Sequence, residues 1–188
     1  MSRLLFSLSV LALSGAPAFA QDATVEWKAD VRGWYIGVDT TIGNGCFMIS
    51  EYEDGGVLRV GFNPQADNMY IVIGDDDWRS LDEDLFYDID LQFGREAPWS
   101  GEAVVFLWDD GDRSLMLDIP FEDNLADVFV DELKRTNSVG VTYRKEEILR
   151  LSLDGTFVAM DETISCQVQM NESLGGYDPF ASDNDPFN

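Results

Sequence analysis

The chain is 188 residues long, with 36 acidic against 12 basic side chains, a formal net charge of −24, two cysteines and no histidine. That excess of negative charge repels phosphate backbones and anionic lipid headgroups, which excludes nucleic acid and membrane surfaces as partners and leaves cations or a basic protein. Without histidine the commonest general base and metal ligand are missing, so hydrolase triads built on Ser-His or Cys-His are excluded too.

In chain order, residues 1–20 read as an export signal. Met1-Ser2-Arg3 is a short basic start, residues 4–13 are apolar, and Ala18-Phe19-Ala20 offers small residues where a signal peptidase reads. Cleavage near Ala20, before Gln21, predicts a soluble periplasmic or secreted protein. The apolar run is too short to cross a bilayer and no second one follows, so no membrane insertion is expected.

Short runs rich in β-branched and aromatic residues then predict strands at 24–28, 34–38, 46–52, 57–62, 69–73, 86–93, 103–108, 114–119, 139–143 and 148–153. Turn residues separate them, among them Gly43-Asn44-Gly45, Glu53-Asp54-Gly55-Gly56, Asn63-Pro64 and Asp109-Asp110-Gly111-Asp112. Two segments carry helical spacing instead. In the first, Asp123 or Asn124 caps, Leu125, Val128, Phe129 and Leu133 share a face, and Lys134-Arg135 suits the C-terminal end of the dipole. In the second, Asp154-Gly155-Thr156 caps a run in which Phe157, Met160, Ile164 and Val168 share a face, with Cys166 near its end. The expected fold is mainly β, an antiparallel sandwich or open barrel with one or two short helices packed on the sheet.

Residues 21–171 form a single β-rich domain in this reading, and residues 172–188 a disordered acidic tail. In that tail Asp178-Pro179-Phe180 recurs as Asp185-Pro186-Phe187. An aromatic repeated in such a tail is the format of a short docking motif, which makes Phe180 and Phe187 candidate partner-binding residues; the plain alternative is a solubilising extension.

The segment 139–166 runs from a strand through Leu149-Arg150-Leu151-Ser152-Leu153-Asp154-Gly155-Thr156 into Phe157-Val158-Ala159-Met160. It resembles the closing strand, glycine and helix of small exported proteins of alphaproteobacteria, among them the invasion-associated locus B type. Gly43-Asn44-Gly45-Cys46-Phe47-Met48 is similar to exported proteins of the same bacteria. The resemblance implies a fold and a compartment, and no catalytic residue comes with it.

Cys46 and Cys166 cannot make a zinc site alone, and in an oxidising compartment an isolated pair is most simply a disulfide. A redox-active pair is the alternative, but the spacing is far from Cys-x-x-Cys. Carboxylates crowd at Asp75, Asp76 and Asp77, and at Asp109, Asp110 and Asp112. These are candidate calcium ligands as a composite site, although neither loop has EF-hand spacing; the alternative is ordinary turn capping. Trp27 and Trp34 are expected in the core, whereas Trp78, Trp99 and Trp108 adjoin polar loops and are surface candidates, with Pro98-Trp99-Ser100 the most loop-like and Trp99 a candidate partner-binding residue. The leading functional reading is an exported, non-catalytic interaction or accessory protein with no cofactor and an unidentified protein partner. A calcium-binding structural protein is the alternative, and a carboxylate-based hydrolase comes third because no pair of its many carboxylates stands out.

Overall fold

Ten strands and two α-helices make up the fold in a computed structural model that describes residues 23–173. The strands are β1 (Thr24–Val31), β2 (Trp34–Asp39), β3 (Gly45–Glu51), β4 (Gly56–Asn63), β5 (Asn68–Asp75), β6 (Tyr87–Phe93), β7 (Trp99–Leu107), β8 (Arg113–Pro120), β9 (Ser138–Tyr143) and β10 (Glu146–Ser152). The helices are α1 (Leu125–Arg135), between β8 and β9, and α2 (Thr156–Ser173), after β10. All strands pair antiparallel in one open sheet of order β1-β2-β3-β4-β5-β8-β7-β6-β9-β10.

The first five strands are a simple meander because short turns join them. After β5 the chain skips two places to β6 and returns through β7 and β8, so β8 becomes the neighbour of β5. Strand β7 serves both halves of the sheet: Trp99 to Ala103 pair with β6, and Val104 to Leu107 pair with β8. The far end then approaches the β3–β4 turn. The Tyr52 hydroxyl donates to the Ser152 carbonyl, and Leu151 lies where a side chain on Gly56 would clash. Both edges are poor templates for a further strand, since β1 and β10 carry charged residues and register irregularities.

Period-two alternation decides which side chains enter the core. Ile36, Met48, Val60, Ile71 and Leu117 stand opposite one another across five strands and are all buried. The helices cover this inner face, α2 on β1 to β3 and α1 on β8 and α2. The Cys46–Cys166 disulfide is formed, joining α2 to β3 across 120 residues of sequence. Closing a loop of that length stabilises by about 4–5 kcal/mol through the lost freedom of the unfolded chain. Gln167 adds to the same junction by accepting from the Cys46 N–H at 2.8 Å.

Each helix buries only part of the face its apolar spacing suggests: Phe129, Leu133 and Met160 are in the core. In α1 the buried stripe is Ala126, Phe129, Val130 and Leu133, leaving Leu125 and Val128 exposed, and Asn124 makes no side-chain cap. In α2 Phe157 turns outward beneath the Lys134 ammonium, 4.6 Å from its ring. The buried stripe there includes Thr163, Gln167 and Asn171: Gln167 accepts from the β3 backbone at Cys46 and donates to Asn171, while Thr163 donates back to the Ala159 carbonyl of its own helix. The helix also continues through Glu172 and Ser173, into the stretch the composition assigns to a tail.

Candidate functional site

Three connections emerge at one end of the sheet because β3, β4, β5 and β8 are successive neighbours and alternate in direction. They are the β3–β4 turn, the loop leaving β5, and the β7–β8 turn. Together they wall a cleft of about 540 Å³. Its floor is the sheet face opposite the helices, with Ile49 and Val57, and its walls carry Tyr52, Trp78 and Trp108 among five carboxylates and two arginines, Arg79 and Arg113.

Each wall is held by backbone turns that the local sequence dictates. Asp75 accepts the Asp77 N–H through Oδ1 at 3.0 Å, and its carbonyl accepts the Trp78 N–H at 2.9 Å. Asp110 accepts the Asp112 N–H at 3.1 Å in the same way, while Gly111 takes the positive φ of 91° that the turn requires. The Gly55 carbonyl accepts the Asp76 N–H at 3.1 Å, which ties the β3–β4 turn to the loop beyond β5.

The Trp108 indole is positioned. Its N–H donates to the Ser114 Oγ at 2.8 Å, and its ring meets Phe106 edge to face at 4.8 Å between centroids. Ser114 is buried and occupies the space beside Gly74, where an added Cβ would fall 2.1 Å from the hydroxyl. Glycine at position 74 is therefore what lets Ser114 reach the indole. Burial, with help from the carboxylates of Asp154 and Asp54, pushes the Tyr52 phenol well above its ordinary range, so Tyr52 stays neutral. Arg113 reaches out of the cleft to Glu83 at 3.1 Å.

Of the residues singled out by sequence, Asp75, Asp76, Asp110 and Asp112 come together as lining of this one cleft, whereas Asp77 and Asp109 do not line it. Among the described residues no group of three carboxylates converges as a metal cage would. Trp99 is not a loop residue: it opens β7, half-buried, with its ring edge-on to Phe129 at 5.7 Å and its N–H donated to Glu132 at 2.7 Å. The Pro98-Trp99-Ser100-Gly101 composition suggests a loop, but Ser100 and Gly101 pair with Asp90 and Ile89, and Leu117 fills the space above Gly101. Trp34 is buried as expected, and Trp27 is half-buried against the core. Phe180 and Phe187 lie outside the described residues.

Sequence reasoning missed Tyr52, Val57 and Ser114. Their only local signal is proximity to a Gly-containing turn; their convergence depends on β5 pairing with β8, which the order of elements along the chain does not reveal.

No family model matches the sequence, and no curated protein matches it. The crystal structure of invasion associated protein B from Bartonella henselae is similar to this chain, with a TM-score of 0.50 and 14% identity over 72% of this chain and 94% of that one. The likeness is one of fold, and it agrees in kind with the resemblance carried by residues 139–166.

Proposed function

We propose that the chain is an exported, non-catalytic binding protein that takes a cationic side chain of a protein partner in the acidic, aromatic cleft. The observation that carries this reading is the convergence of Asp75, Asp76, Asp110 and Asp112 with Trp78 and Trp108 around one cavity. Carboxylates attract an ammonium or guanidinium group, and the negative faces of indole rings add to that attraction. A net charge of −24 steers such a partner from a distance. Binding fits this lining better than catalysis: Asp75 and Asp110 each hold a turn N–H, and the sequence supplies no histidine. Export is supported by the signal-like residues 1–20 and by the formed disulfide.

Titration with hexalysine, followed by tryptophan fluorescence, tests the reading. Asp110→Asn with Asp112→Asn keeps the turn acceptor of residue 110 and removes two charges, and should weaken binding about fivefold. Asp123→Asn with Asp127→Asn, which removes the same two charges away from the cleft, should not. Equal loss in both variants would mean that the peptide feels only the diffuse field of the molecule, and the cleft would lose its role.

A further inference from the structure

The sheet face opposite the helices is apolar where solvent would favour polar side chains. The registers place Tyr35, Ile49, Arg59, Val72, Met116 and Val104 directly opposite one another, in one row across β2, β3, β4, β5, β8 and β7. An antiparallel sheet with one solvated face ordinarily alternates polar residues onto that face. Here the row holds a single charge, and it is neutralised internally: Arg59 is buried and bonded to Asp39 at 2.8 Å. Tyr35, Ile49, Met116 and Val104 are partly exposed, Val72 is buried beside Arg59, and neither helix packs on this side. The row is continuous with the cleft, because Ile49 belongs to both and Val57 flanks it.

We infer that this face is the docking floor for an extended segment of a basic partner protein, alternating apolar and cationic residues, with the apolar side chains along the Ile49–Met116–Val104 row and the cations at the cleft carboxylates. The inference rests on the cationic reading of the cleft and adds the chemistry of what flanks the cation. Charge complementarity selects the occupant. An apolar strip, interrupted at the buried Arg59 and Val72 and adjoining a cleft in which Glu51, Asp75, Asp76, Asp110 and Asp112 outnumber Arg79 and Arg113, attracts a basic amphipathic segment. It repels a second copy of a chain carrying −24, and it repels an anionic lipid surface. Spanning six strands takes about 24 Å, or about seven extended residues, which is the length of an ordinary linear recognition motif.

Two dye-labelled octapeptides of equal charge test this, one alternating Leu and Lys and the other alternating Ser and Lys. The Leu-Lys peptide should bind about tenfold more tightly. Met116→Ser, or Val104→Ser as a second variant, neither of which lines the cleft, should erase that difference while leaving the affinity for the Ser-Lys peptide unchanged. Asp110→Asn with Asp112→Asn should weaken both peptides. Equal affinity of the two peptides, or a difference that survives both Ser variants, overturns the docking floor yet leaves the cleft reading intact. Ser-Lys binding that ignores the Asp variants overturns the cleft reading itself. A dimer in sedimentation that Met116→Glu dissociates would assign the face to a second copy, and a tenfold gain in Leu-Lys affinity on deleting residues 174–188 would assign it to this chain's own C-terminal segment; either result overturns the proposal.

Discussion

Arg59 sits in the middle of a sheet with almost no access to water, and each of its surroundings answers to that placement. Its Nε donates to the Tyr70 hydroxyl and its Nη2 to Asp39, both at 2.8 Å, while its guanidinium lies 3.9 Å from the centroid of the Phe47 ring. Phe47 can lie flat there because positions 37 and 61 are glycines; a Cβ at either would come within 2.8 Å of the ring or its stem. Burial works against the Asp39 carboxylate, but hydrogen bonds from Thr41 and Arg59 outweigh it and hold the group below its ordinary range. Burial likewise pushes the Tyr70 phenol up to about 12, so it donates no competing charge. A carboxylate with a depressed folded-state pKa contributes stability that is complete above its unfolded value, about 3.9, and is lost as pH falls through that value toward the folded one. Asp39→Asn should therefore cost about 1.5–3 kcal/mol at pH 7, since it removes a charged hydrogen bond from a buried guanidinium. In urea denaturation the gap between wild type and variant should narrow as pH falls below about 3.9. A gap that persists there would mean that packing around residue 39, and not its charge, is what the substitution disturbs.

The β9–β10 hairpin shows how far an element can depart from its local sequence. Tyr143 pairs with Glu146, so the loop between them is only Arg144 and Lys145, and both have positive φ, 51° and 72°. A two-residue turn of that hand favours Asn-Gly, and a non-glycine residue held there costs about 1–3 kcal/mol. Stacking of Arg144 on Tyr143, at 4.8 Å, offsets part of the cost. Replacing the pair, Arg144→Asn with Lys145→Gly, should raise stability by about 1–2 kcal/mol in chemical denaturation; a loss would show that the stack outweighs the strain. The same absence of turn residues is why composition starts this strand at 148, when pairing begins at Glu146. Elsewhere the strands were legible because their turns carry Gly, Asn and Asp, and the disulfide was legible because only two cysteines exist. The helix faces were legible only in part, since Leu125, Val128 and Phe157 share a helical spacing yet point outward once α1 and α2 dock on the sheet and on each other. Trp99 was misplaced for a related reason: a proline and a glycine beside it signal a loop, whereas Gly101 is there to clear Leu117. The cleft was half legible. Its acidic turns stand out in the sequence, but their meeting follows from the β5–β8 pairing, a long-range choice made by the core.

At the scale of the whole molecule the net charge of −24 is a constant pressure toward expansion, which any salt relieves by screening. Calcium bears on the same charge in a way that separates a diffuse atmosphere from a cage. A cage needs six to eight oxygens about one ion, and among the described residues no three carboxylates gather that closely. Asp75 and Asp110 are moreover engaged with the N–H groups of their own turns. Melting temperature should therefore rise with calcium chloride no further than with sodium chloride at matched ionic strength, within about 1–2 °C. The contrast is large enough to read. A true site with a dissociation constant a hundredfold below the calcium concentration would add about 2.7 kcal/mol, or about 5–10 °C for a domain of this size. An increment of that size, abolished by Asp110→Asn with Asp112→Asn, would make the cleft a metal site whose carboxylates close around the ion, and would displace the cationic side chain proposed for it. If the increment instead survived those substitutions, the calcium would sit elsewhere and the cleft would stay available to its partner.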